Sequence, residues 1–166
     1  RSYNGDGGGR RKRARYDDEG EEGIEVSLHN LILHLGDSHA TSTQDLEDLA
    51  RAIQDDVAVY SEEITESLLQ CVYHFPHRSS LYATLVGLLH VRAERSSSSS
   101  FSKYLVKCLM ADFERSVEDF DFSAAVVQLR FLSLLASVFV LSLSDILTLF
   151  HKLLDVAEEG EEICSD

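Results

Sequence analysis

The chain has 166 residues, 44% of them hydrophobic, with one proline and a net charge of −14; the hydrophobic content places its bulk among globular proteins and excludes a wholly disordered chain. Six Lys/Arg and six Asp/Glu balance within residues 1–22, so the whole net negative charge falls on residues 23–166; a body this acidic repels phosphate backbones, which bind through several Lys/Arg contacts. Cys71, Cys108 and Cys164 are odd in number and widely spaced, which argues against a disulfide framework and reads the first two as core thiols.

Residues 1–22 open with a glycine-rich lead, Asn4 to Gly9. The basic run Arg10, Arg11, Lys12, Arg13 and Arg15 follows, and then the acidic stretch Asp17 to Glu22. Nothing in this segment can bury an apolar face, so it is expected to be a disordered tail. A basic run of this length is either a nuclear import signal or a nucleic-acid patch. The acidic body favours the import signal, and Lys12-Arg13-Ala14-Arg15 fits the minimal pattern for the acidic groove of importin-α. The alternative is a direct nucleic-acid-binding protein that uses the tail as an electrostatic arm.

Beyond the tail, strand signals are almost absent and helical periodicity is continuous. The first helix is expected over 23–35, with Val26, Leu28, Leu31, Ile32 and Leu35 inward and Gly36 just past its end. The second starts after Thr43 and carries Leu46, Leu49, Ala50, Ile53 and Val57; Asp45, Glu47 and Asp48 favour the positive end of its dipole. The third starts near Ser61, packs Ile64, Leu68, Leu69 and Val72, and stops at Pro76. The fourth spans 80–92 with Leu81, Leu85, Leu88 and Leu89 on one stripe, and its Gly87 marks a close approach by a neighbour. Ser96 to Ser100 reads as a flexible, solvated loop. The fifth helix spans 101–117, with Phe101, Leu105, Cys108, Leu109 and Phe113 inward. The sixth spans 122–141, capped by Asp121, and is central because it is apolar nearly all round from Phe131. The seventh starts at Ser142 and fades near Glu158.

These starts recur every ~20 residues, so a helix pair recurs every ~40, close to the HEAT-type period of about 40–47 residues. The expected fold is therefore all-α: HEAT-like antiparallel hairpins stacked into a solenoid of about seven helices. Residues 23–166 form one helical-repeat domain, read as truncated at its C-terminal end. Seven helices leave one unpaired, so that end is expected to expose an apolar face. The chain begins at Arg1 rather than Met and reads as a piece of a longer protein. The apolar run Phe131 to Phe150 has the length of a single membrane span. Asp145 near its middle is costly in lipid, and Ser142 with Asp145 resembles a helix start, so the membrane alternative is set aside.

No catalytic constellation appears: there is no P-loop, dinucleotide fingerprint, zincin motif or nucleophile elbow. Neither an enzyme activity nor a cofactor is expected. Cys71, His74 and His77 form C-x-x-H-x-x-H, the best metal candidate, but Pro76 interrupts it and no fourth ligand is evident. His29, His34 and His39 repeat every five residues and share no helix face. The acid pairs Asp55/Asp56, Glu62/Glu63, Glu158/Glu159 and Glu161/Glu162 read as solvated faces. Tyr60, Tyr73, Tyr82 and Tyr104 are not interleaved with Lys/Arg as single-strand binding requires, so they are assigned to packing or rim roles.

Two blocks carry a family resemblance. One is Leu81-Tyr82-Ala83-Thr84-Leu85-Val86-Gly87-Leu88-Leu89, and the other runs from Asp121-Phe122-Ser123-Ala124-Ala125 through Gln128, Arg130 and Phe131 to Ser133. Both resemble the first helical domain of the large-subunit family of the nuclear cap-binding complex. Its fold class is named after the middle domain of initiation factor 4G. The resemblance covers about Leu28 to Leu154 and rests on the order of Tyr82, Thr84, Gly87, Arg130 and Ser133 as well as on leucine spacing. The serine loop and Leu134 depart from the family pattern. So does the tail, where only Arg1 stands in place of the family's upstream basic cluster. The resemblance implies a nuclear, shuttling, non-catalytic scaffold whose small partner subunit stacks the RNA cap. It further implies links to splicing, RNA export, translation and nonsense-mediated decay. In the family, later domains hold most of the surface that grips the small subunit, so no cap-contacting residue is assigned here. Capped RNA is expected to be reached only indirectly.

Overall fold

A computed structural model describes residue 23 and residues 28–37, 42–95 and 100–163. The described structure is helical without strands. Helix α1 is described over residues 28–33; α2 spans Thr43–Ile53, α3 Ser61–His74, α4 Ser79–Arg95, α5 Ser100–Glu118, α6 Phe122–Ser137 and α7 Leu143–Ile163. Two single 3₁₀ turns, Asp56–Ala58 and Pro76–Arg78, flank α3. The tail 1–22, Val26, His39, the serines 96–99 and Cys164 lie outside the described residues.

The starts follow local chemistry. Ser42 Oγ accepts from the Asp45 amide at 3.1 Å while the Asp45 carboxylate accepts from the Ser42 amide at 2.8 Å, a reciprocal capping box. Asp121 accepts from the Ala124 amide at 3.0 Å at the head of α6. Ser142 Oγ accepts from the Asp145 amide at 3.2 Å and donates to the Asp145 carboxylate at 2.6 Å at the head of α7. Pro76 removes an amide donor and restricts Phe75, so α3 stops at His74.

The helices stack in two layers, as HEAT-type hairpins do. α2, α4 and α6 lie side by side in one, α3 packs beside α5 in the other, and α5 folds back on α6. The core runs between the layers through Leu68, Leu85, Leu105, Leu109, Phe131, Leu132 and Leu135, all fully buried. Gly87 lets α6 come close: a Cβ there would stand 3.0 Å from Val138 Cβ and 3.5 Å from the Val138 carbonyl oxygen. The close neighbour expected from Gly87 is thus the end of α6.

The structure departs from the sequence pattern in several places. α2 stops at Ile53, so Val57 is buried from the 3₁₀ turn Asp56–Ala58 rather than from α2, and Ser100 opens α5 instead of closing the serine loop. Leu31 is 46% exposed, because Leu28, Ile32 and Leu35 already fill the inward stripe of α1. α6 stops at Ser137 instead of continuing to Leu141. There Phe139 takes a left-handed conformation (φ +62°), its amide donates to the Ala136 carbonyl, and the Val140 amide donates to Leu135. This is a Schellman stop built on phenylalanine where glycine is usual. α7 continues to Ile163, past the expected fade at Glu158. The break between α6 and α7 divides the apolar run, and among the described residues no helix is long and apolar enough to cross a membrane.

Candidate functional site

Three surfaces stand out among the described residues. The first is a groove of about 420 Å³ between the same-layer helices α3 and α5. Helix α3 presents Glu62, Thr65, Glu66, Leu69, Gln70 and Tyr73; α5 presents Tyr104, Cys108 and Asp112. Spacings of three and four residues place each set on one helix flank. The Tyr73 hydroxyl accepts from Gln128 Nε2 at 2.6 Å, and Gln128 also donates to Ser116 Oγ at 3.0 Å. Burial raises the Tyr73 phenol above its ordinary pKa, Gln128 partly offsetting this. Tyr104 is raised first by its hydrogen bond with Cys108, then by the charge of Cys108, and after burial by Glu62 and Glu63. Asp112 pairs with Arg115 at 3.0 Å.

The second surface is the junction of α1 with α4. Arg78 donates to the Leu33 and Leu35 carbonyls at 3.4 and 3.3 Å and to the Asp37 carboxylate at 2.7 Å, with its guanidinium 5.0 Å from the Phe75 ring centre. It satisfies the end of α1 and complements its negative dipole. Asp37 is held below the ordinary carboxylate value, first by its bond with His34 and then by Arg78. Gly36 turns the chain here at φ +89°, where a Cβ would meet Leu81 Cδ1 at 2.8 Å. Arg78 here has a structural role.

The third surface is the apolar end formed by α5, α6 and α7. A cavity of about 380 Å³ is lined by Phe113, Val117, Phe120, Phe122, Ala125, Val126, Leu129 and Leu153. Phe120 is left-handed (φ +57°) and packs edge-on against Phe122, 6.2 Å between ring centres. Beside it Leu143, Leu147, Phe150 and Leu154 form an exposed stripe along α7. This is the exposed apolar end that an unpaired seventh helix implies.

The basic run Arg10, Arg11, Lys12, Arg13 and Arg15 lies outside the described residues. Among the described residues no three metal-ligating side chains come together. Within C-x-x-H-x-x-H, Cys71 turns into the core beside Tyr82, while His74 and His77 flank the Phe75 ring. Burial raises the Cys71 thiol and pushes Tyr82 up to about 12. Of the family-block residues, Tyr82 is fully buried, Thr84 Oγ1 donates to the Ser80 carbonyl at 2.8 Å and Ser133 Oγ to the Leu129 carbonyl at 2.8 Å. These blocks carry the packing of α4 and α6. The burial of Thr65 and Gln128 was not read from the sequence, although Gln128 lies in the second block, since their layer neighbours come from helices distant along the chain.

Residues 31–163 match the family model described as MIF4G domain. The chain belongs to the MIF4G domain family. Over 163 residues it is 31% identical to "Nuclear cap-binding protein subunit 1" of Anopheles gambiae, covering 96% of this chain and 20% of that protein. Over 161 residues it is 30% identical to the protein of the same name from Mus musculus, again with 96% and 20% covered. The chain thus spans about a fifth of the length of these relatives. The match extends across the two-layer MIF4G helical stack described above, so the resemblance read from the α4 and α6 blocks holds for the whole domain.

Proposed function

We propose that this MIF4G domain is part of a non-catalytic scaffold subunit of a nuclear cap-binding complex. The observation that carries the reading is the identity of about 30% along 96% of the chain to relatives named nuclear cap-binding protein subunit 1. In this reading the scaffold reaches capped RNA through a small cap-binding subunit and couples it to splicing, export, translation and nonsense-mediated decay. The apolar end is a stacking surface for a further helix pair, as in solenoids generally. The net charge of −14 supports a route to RNA through protein rather than direct contact. Residues 1–22 serve as the import segment, with Arg10, Arg11, Lys12, Arg13 and Arg15 binding importin-α, and the protein shuttles between nucleus and cytoplasm.

Affinity capture of the endogenous protein from RNase-treated nuclear extract tests the scaffold role: a small cap-binding subunit should co-purify, and its absence from the captured proteins contradicts the reading. The import segment is tested separately. A tail–reporter fusion carrying Lys12→Ala and Arg13→Ala should lose nuclear accumulation, whereas an unchanged nuclear signal removes the tail from the account.

A further inference from the structure

The connections on either side of α6 both use a phenylalanine where a helix end ordinarily takes glycine. Phe120 (φ +57°) follows α5 and Phe139 (φ +62°) follows α6. A residue with a Cβ is unfavourable in this region, so each joint stores strain that its surroundings must hold. At the first joint they do: α6 packs against α3, α4 and α5, and Gln128, Phe131, Leu132 and Leu135 are buried along it. The second joint is held more loosely. Phe139 is 88% exposed. α7 leans chiefly on α6, and among its described side chains only Ile146 and Leu149 are buried.

Space lies beside α7 towards both of its ends. A cavity of about 810 Å³ opens at its head, lined by Ser133, Ala136, Phe139, Val140 and Leu143 among others. The cavity of about 380 Å³ opens near Leu153. α7 is thus seated at its middle. No glycine or proline interrupts Phe131 to Phe150, so the sequence also permits α6 and α7 to run on as a single helix. The bend is closed by bonds from the Phe139, Val140 and Leu141 amides to the Ala136 and Leu135 carbonyls. These have equivalents in a continuous helix, where each amide bonds four residues back. Straightening removes the left-handed residue and gives up the Ser142–Asp145 cap. It also exposes Ile146 and Leu149 unless a second copy covers them.

We propose that this joint opens and that two copies of the chain exchange α7. In the exchanged dimer α6 and α7 of each copy form one long helix, and the α7 of one copy rests on the α6 of the other. Ile146 and Leu149 regain the same seats, so that packing is kept, while both Phe139 residues leave the left-handed conformation. A short, strained connection between packed elements is where such an exchange takes place. The α5–α6 joint carries the same strain but does not open in this way, because α6 lies at the centre of the core. The outward stripe of α7 travels with the helix and stays free for a further helix pair. The proposal therefore does not depend on the cap-binding reading.

The test uses the full chain at millimolar concentration and high salt, which screens the net charge of −14 that opposes association. Size-exclusion chromatography with light scattering should separate a dimer from the monomer. The dimer is then refolded from a mixture of isotope-labelled and unlabelled chains. Isotope-filtered NOE spectra should show Leu153 of one copy against Ala125 and Leu129 of the other, since all three line one cavity. Phe139→Gly relieves the bend and disfavours the long helix. It should raise the dissociation constant of the dimer about a hundredfold, about tenfold for each of the two joints. Leu147→Glu on the outward stripe should leave that constant within about threefold. No dimer at millimolar chain overturns the proposal. So does a dimer without Leu153 contacts between copies, or one indifferent to Phe139→Gly. A dimer abolished by Leu147→Glu also overturns it, because the copies then dock stripe to stripe.

Discussion

Helices α4 and α7 are both leucine-rich, yet they are buried to different extents. On α4, Tyr82, Ala83, Leu85, Val86 and Leu89 are all buried, because α2 and α6 flank it in its own layer and the other layer lies beneath. On α7, Ile146 and Leu149 are buried against the stack, whereas Leu143, Leu147, Phe150 and Leu154 face outward. Similar side chains thus contribute stability in one helix and an exposed apolar face in the other. In a solenoid the neighbours of a helix decide this, rather than its hydrophobicity.

The contrast is broken most directly by truncating both helices. Leu85→Ala on α4 should cost about 2–5 kcal/mol in urea unfolding, as deep core truncations do. Leu147→Ala on α7 should stay within about 0.5 kcal/mol. Similar losses from both would mean that α7 is buried in solution. Gly87→Leu places a side chain where Val138 already stands at 3.0 Å, and should cost about 1–3 kcal/mol. Adding Val138→Ala should restore part of that loss; no restoration would place the clash elsewhere.

Two smaller effects sharpen the comparison. Phe139 is 88% exposed and left-handed at the stop before α7. Phe139→Gly should therefore stabilise the fold by about 0.5–1 kcal/mol, because it relieves the Cβ conflict while losing few contacts. A loss of stability would show that the ring has a partner. The opposite end responds to acid. Asp37 is held low by His34 and Arg78, and Asp45 by the amide and hydroxyl of Ser42. Their folded pKa values lie below the ordinary value of 3.8, so below it the unfolded chain binds more protons. Their contribution is complete above about pH 4 and is lost as pH falls through the folded values. Asp45→Asn should flatten that acid limb, and an unchanged limb would remove the capping box as its source.

The starts of α6 and α7 were legible because each is written in a few adjacent residues: Asp121, and Ser142 with Asp145. That of α2 was placed after Thr43 from the acids of its first turn, and the Ser42 cap was not read. The stop of α3 was legible for the same reason, through Pro76. The stop of α6 was not, since its left-handed residue is Phe139, a type that ordinarily continues a helix. Leu31 was misplaced because periodicity gives the width of an apolar face but not which edge a neighbour covers. The α3–α5 groove was hidden for a different reason. Glu62 and Glu63 read as a solvated pair, and only the layering of α3 beside α5 brings Glu62, Thr65 and Tyr104 together. The apolar end was legible from the count of helices alone.

The scaffold reading is tested most directly on a 7-methylguanosine resin, with the endogenous protein in nuclear extract before and after depletion of the small cap-binding subunit. Retention that disappears on depletion and returns when the small subunit is added back is the predicted result. Retention that survives complete depletion, or that never occurs with the small subunit present, contradicts the account.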